Sequence, residues 1–181
     1  PIEIIPNILG KCVWITTSTF QFRPETLFPT GGKYEVKIPA WISTLSGDVT
    51  KNAKTFEIIT PEFQLLSVND TSVQDTLQKD MPLQFVFNDE VSLETFQKYF
   101  SLSNISNEKL QFSYYQAEDA LKKSTNTITV FPKSWDWGYS KTYQYTLSKN
   151  LTSSRGNVGM KTDVKGSFTT NDFLVWYYPF V

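Results

Sequence analysis

The chain has 181 residues with 17 Lys and Arg against 18 Asp and Glu, a net charge of −1. The two signs are interspersed, so nothing marks an electrostatic partner such as nucleic acid or anionic lipid. There is no His, which removes the commonest general base and metal ligand together, and a single Cys, which excludes an internal disulfide.

No run of about 18 apolar residues is present to insert into a membrane as a helix. The stretch from Pro1 to Pro6 has no basic flank leading into a long apolar run, so it does not read as a signal peptide. Five Trp, 9 Tyr and 14 Phe, interleaved with Thr, Ser, Gln and Asn, suit pleated and half-buried surfaces, and so favour strands.

Period-two alternation predicts strands in chain order. Phe20 and Phe22 alternate with Gln21 and Arg23, and Tyr34, Val36 and Ile38 with Glu35 and Lys37. Leu83, Phe85 and Phe87 alternate with Gln84 and Asn88. One predicted helix follows: Ser92 caps it, Glu94 suits its positive end, and Leu93, Phe96 and Phe100 share a face. It is short and reads as a connection between strands. Phe112 and Tyr114 then flank Ser113, Ile128 and Val130 flank Thr129, and Tyr143, Tyr145 and Leu147 alternate with Gln144 and Thr146. Turn signals at Gly31-Gly32, Ser46-Gly47-Asp48, Asn88-Asp89, Asp136-Trp137-Gly138 and Arg155-Gly156-Asn157 separate these segments. The sum is all-β: tandem antiparallel immunoglobulin-like sandwich modules with one short connecting helix.

The chain also repeats itself. Phe22-Arg23-Pro24 is answered by Val130-Phe131-Pro132. Leu27 followed by Gly31-Gly32-Lys33-Tyr34 is answered by Trp135 followed by Gly138 through Tyr143. Thr60-Pro61-Glu62-Phe63 is answered by Thr170-Asn171-Asp172-Phe173. The phase implies that residues 1–60 are the C-terminal half of one module and 61–170 a complete one. Residues 171–181 are then the first strand of a following module, or a strand that folds back to complete the first half. Within this grammar Pro24 and Pro132 end strands, Gly31, Gly32 and Gly138 serve turns, and Trp14 and Trp135 are large core candidates. Tyr34 and Tyr143 open strands with the ring inward and the hydroxyl free to reach a loop carbonyl, in the manner of a tyrosine corner.

Gly10-Lys11-Cys12-Val13-Trp14, Phe20-Gln21-Phe22-Arg23-Pro24, Gly32-Lys33-Tyr34 and Thr60-Pro61-Glu62-Phe63 together resemble the N-terminal macroglobulin-type domains of bacterial alpha-2-macroglobulins. The phrase from Leu83 to Val91, leading into Phe96-Gln97-Lys98-Tyr99-Phe100, fits the same pattern. The resemblance implies a structural segment of a larger extracytoplasmic protease inhibitor, at the periplasm or cell surface. The family's thioester motif is absent, because Cys12 is followed by Val13-Trp14-Ile15 rather than a nearby Glu-Gln pair. The expected partners are neighbouring domains of the parent chain, and beyond them proteases or surface glycans and proteins. The other reading is a spacer, or a glycan- or protein-binding module, of a bacterial surface adhesin or surface-layer protein.

Trp137 and Tyr139 form the candidate ligand-contact loop: aromatic rings around a turn would stack on sugar rings or hold a peptide. The competing reading makes Trp135 core and lets Trp137 and Tyr139 cover the sandwich end. Asp89-Glu90 and Glu118-Asp119 are acidic pairs without the spaced carboxylates of a calcium loop, and read as solvated charge. Cys12 reads as a small buried hydrophobe. No catalytic constellation, cofactor motif or metal set is found, so the expectation is a non-enzyme.

Overall fold

The computed structural model describes residues 2–49, 51–69, 76–106, 112–116, 124–132 and 136–173. The first third contains β1 (Glu3–Ile5), β2 (Gly10–Trp14), β3 (Phe20–Pro24), β4 (Lys33–Ile38) and β5 (Lys54–Ile59). The rest contains β6 (Leu65–Val68), β7 (Leu83–Ser92), α1 (Leu93–Tyr99), β8 (Phe100–Asn104), β9 (Phe112–Gln116), β10 (Ser124–Pro132), β11 (Thr142–Leu147) and β12 (Val164–Thr169). These strands make antiparallel sheets of order β1-β4-β5, β2-β3, β6-β7-β10-β9 and β12-β11-β8. The chain is all-β and sandwich-like.

The larger core lies between the last two sheets. Alternation along β7 turns Leu83, Phe85, Phe87 and Val91 inward, where each is essentially buried. Phe85 meets Tyr145 of the facing sheet edge-on at 5.2 Å, and Phe63 stacks on Phe87 at 5.5 Å. Offset and edge-on aromatic pairs of this kind add to the burial itself. Helix α1 carries the chain from one sheet to the other. Its Ser92 hydroxyl accepts the Thr95 N–H at 3.1 Å, satisfying one of the donors that a helix start leaves open. Phe96 points off the helix into the core, 4.9 Å from Phe100 and 5.4 Å from Phe85, so it closes one end of the sandwich. The smaller core is Ile4, Tyr34 and Val36, with Ile2, Ile8, Phe22 and Phe28 packed against it.

β1 to β5 reproduce β8 to β12 strand for strand and in register. Cys12 pairs with Phe22 as Tyr114 pairs with Val130, and Ile4 pairs with Val36 as Leu102 pairs with Tyr145. Tyr34 pairs with Ile58 as Tyr143 pairs with Phe168. The turns match as well. The Thr60 hydroxyl accepts the Gly32 N–H at 2.7 Å, and that of Thr170 accepts the Lys141 N–H at 2.9 Å. Gly31 (φ 60°) donates to Pro61 at 2.7 Å, and Ser140 (φ 53°) donates to Asn171 at 3.1 Å. The left-handed backbone is thus common to both turns, and only the first supplies the glycine that adopts it without strain. This correspondence sets Leu27 beside Asp136 rather than Trp135. Leu27 is 86% exposed, so its match to Trp135 lends no support to a core position there. Trp135 lies outside the described residues.

The two parts meet through the loop before β4. The Thr30 N–H and hydroxyl both donate to Asp89 Oδ2, at 2.8 and 3.1 Å, and the Ser153 hydroxyl returns a bond to the Thr30 carbonyl at 3.0 Å. The Asn157 amide holds both backbone groups of Lys33, accepting from its N–H at 2.8 Å and donating to its carbonyl at 3.0 Å. The backbone N–H groups of Asn157 and Val158 both reach the Gly31 carbonyl, at 2.9 and 2.7 Å. Asn88-Asp89, read in the sequence as a turn, lies instead within β7, and Asp89, read as solvated charge, accepts two bonds from Thr30; with the Arg155-Gly156-Asn157 loop it forms the joint.

Candidate ligand-contact loop

The loop from Asp136 to Ser140 is built from the turn outward. Gly138 takes φ 79°, and its N–H donates to Asp136 Oδ1 at 2.7 Å. Lys79 bonds the other carboxylate oxygen of Asp136 at 2.9 Å. That bond, followed by the one from Gly138, holds the Asp136 carboxyl below the ordinary aspartate range, and the same contact raises Lys79. Lys79 also lies over the Tyr139 ring at 5.1 Å, a cation–π contact.

Trp137 faces the other way. It is 3% exposed, its backbone N–H donates to the Lys79 carbonyl at 2.8 Å, and its indole N–H donates to the Met81 carbonyl at 2.7 Å. Its ring lies 5.4 Å from Tyr143 and 5.2 Å from Phe168. The Tyr143 hydroxyl donates back to the Trp137 carbonyl, and burial, followed by the nearby charge of Asp136, raises its pKa. Stacking on a sugar requires an open ring face. Trp137 has none, and its role as a ligand contact is corrected: it is a core residue whose polar atom is already paired. Tyr139 is half-buried and packs edge-on against Phe173 at 5.1 Å. What the turn presents to solvent is the ion pair and part of one tyrosine, not an aromatic platform.

The remaining sequence candidates are spread through the fold. Tyr34 is 2% exposed and sits edge-on to Phe28 at 5.1 Å, and Trp14 is half-buried beside Phe20 at 5.6 Å. Pro24 closes β3 opposite Gly10, although the Glu25 N–H still reaches the Leu9 carbonyl at 2.9 Å, so pairing outlasts the proline by one residue. Pro132 closes β10 opposite Phe112. Cys12 is exposed, which corrects its reading as buried: its strand belongs to a two-stranded sheet that leaves part of its inner face uncovered. Asp89 is engaged by Thr30 and by the Glu90 N–H, and Glu118-Asp119 lies outside the described residues. Among the described residues no group of three or more His, Cys, Asp or Glu could hold a metal ion. A groove of about 360 Å³ runs along the joint between Gly31, Ile59, Val158 and Met160.

No family model matches the chain. Among curated proteins it is similar to the alpha-2-macroglobulin of Pasteurella multocida (strain Pm70), 27% identical over 179 residues. The similarity covers 92% of this chain and 9% of that protein, so the chain spans about a tenth of its relative's length. The chain is therefore alpha-2-macroglobulin-like in sequence and sandwich-like in structure.

Proposed function

We propose that this chain is a non-catalytic scaffold segment of a larger, extracytoplasmic, alpha-2-macroglobulin-like protease inhibitor. In this reading residues 1–60 are the latter part of one sandwich module, 61–170 a whole one, and 171–181 the opening of another. The observation that carries the proposal is the similarity to an alpha-2-macroglobulin along almost the whole chain. Its structural support is the repeated register of β1–β5 and β8–β12, joined by a hydrogen-bonded seam rather than a free linker. Such a seam holds neighbouring modules at a set angle, which suits a frame around a trapped protein better than a loose string of spacers.

The test uses the intact parent protein incubated with an endopeptidase. Activity on a large protein substrate should fall while activity on a short chromogenic peptide is kept, because a trapped protease is shielded rather than blocked at its active site. Unchanged activity on both substrates, across proteases of different specificity, would remove the inhibitor reading.

A further inference from the structure

The face shared by β3, β4 and β5 is half built. Phe56 and Ile58 stand on the same side of their sheet as Val36 and Tyr34, their direct cross-strand partners, yet are 49% and 39% exposed while Val36 and Tyr34 are buried. Of the positions that match them by register, Gly166 is half-buried and Phe168 is 0% exposed in the larger core. The Tyr145 ring lies across Gly166 and leaves no room there for a Cβ. Val36 faces Phe56 where Tyr145 faces Gly166, so each sheet places one large ring in the same slot, from opposite strands. In the second sheet that ring meets Phe85 of β7. Above Phe56 the described residues place no strand equivalent to β7.

β3 offers the matching edge. β10 pairs with β9 on one side and with β7 on the other, through Ile128 opposite Phe85 and Val130 opposite Leu83. The matching residues of β3, Phe20 and Phe22, pair with β2, and no strand lies beyond them among the described residues. β6, β7 and α1 are the elements without a counterpart among β1–β5.

We propose that this open face seats a segment of the parent protein built like residues 65–99: an alternating strand pairing antiparallel with β3 along Phe20 and Phe22, laying an aromatic or large aliphatic side chain on Phe56 and Ile58, and continued by a short capped helix. The inference rests on the module reading above but not on protease inhibition. A return of the chain after Phe173 to this seat has little length to spare. Phe173 follows the end of β12 that is remote from Gly31, and the eight residues 174–181 reach roughly 28 Å at full extension. Running back along the six residues of β11 alone uses about 20 Å of that.

Amide hydrogen exchange at Phe20 and Phe22 tests the proposal in three proteins: the 181-residue chain, the same chain ending at Phe173, and the parent protein from about 70 residues before Pro1 through residue 181. The Ile128 and Val130 amides, held in the β7–β10 ladder, report folding in each. Exchange at Phe20 and Phe22 should be fast in the first two and slowed at least a hundredfold in the third. In a companion readout, Phe56→Ala should leave the urea midpoint of the 181-residue chain unmoved and lower that of the extended protein. Protection in the 181-residue chain that vanishes on dilution would assign the face to a second copy, and protection lost on truncation at Phe173 would assign it to the C-terminal residues. Either result overturns the proposal, as does fast exchange in the extended protein. None of these readouts involves a protease, so the inhibitor reading stands or falls separately.

Discussion

Replacing Trp137 by alanine separates a core residue from a ligand-contact residue, because the two roles predict opposite effects on stability. At 3% exposure the indole buries nearly all of its roughly 200 Å², worth at most about 5 kcal/mol at about 25 cal/mol per Å². The bond from its indole N–H to the Met81 carbonyl adds about 1 kcal/mol. Alanine keeps the Cβ, and the rings of Tyr143 and Phe168 close part of the void, so the expected net loss is about 3–5 kcal/mol. For a chain of this length that corresponds to a fall in Tm of roughly 10 °C. Urea unfolding followed by near-UV circular dichroism measures it, with Trp137→Phe as a control that keeps the ring and loses the hydrogen bond. A loss below about 1 kcal/mol at unchanged denaturant slope would refute the core assignment, because so small a value belongs to an exposed side chain.

Ser92→Ala removes the cap of α1 and should cost about 1 kcal/mol in the same assay, with Ser92→Asp restoring most of it. Tyr143→Phe deletes the donor to the Trp137 carbonyl inside the core and should cost about 1–2 kcal/mol, and spectrophotometric titration should show one tyrosine fewer ionising late, above the ordinary phenol range. The Lys79–Asp136 pair has a definite pH signature. Asp136 is depressed, so its share of stability is present above about pH 3.9 and is lost as pH falls through its lower folded value. Lys79 is raised, so its share is present below about pH 10.4 and is lost as pH rises through its higher folded value. The Tm difference between wild type and Lys79→Met should therefore be flat between those limits, vanish beyond them, and stay small and salt-sensitive because both partners are in contact with water. A difference that grows below pH 3 would contradict this account.

Much of the fold was legible because strand alternation is a local property. Leu83, Phe85 and Phe87 announce an inward face whatever packs on it, and Ser92 announces a helix start through its own hydroxyl. The repeat was legible too, since the same turn chemistry recurs, but its alignment slipped by one residue at Leu27 and Trp135. The hydrogen bonds of Gly31 and Ser140, not the glycines themselves, mark the equivalent positions. The joint was not legible, because Asp89 reads alike in the sequence whether its partner is water or the Thr30 backbone, and its place within β7 was read as a turn.

By itself, then, the sequence determined which residues can line a sheet, where the chain turns, and that the chain lacks the histidine and the spaced carboxylates of common catalytic and metal sites. Only the tertiary structure decided which aromatic rings are covered. Trp137, read as a surface contact, has its indole satisfied by Met81 and its ring enclosed, while Phe56, as apolar as any core residue, stands half open. Burial is a property of what lies opposite. Alternation fixes the direction in which a side chain points, but the strand that meets it comes from a distant part of the chain, and no local pattern records whether that strand is there.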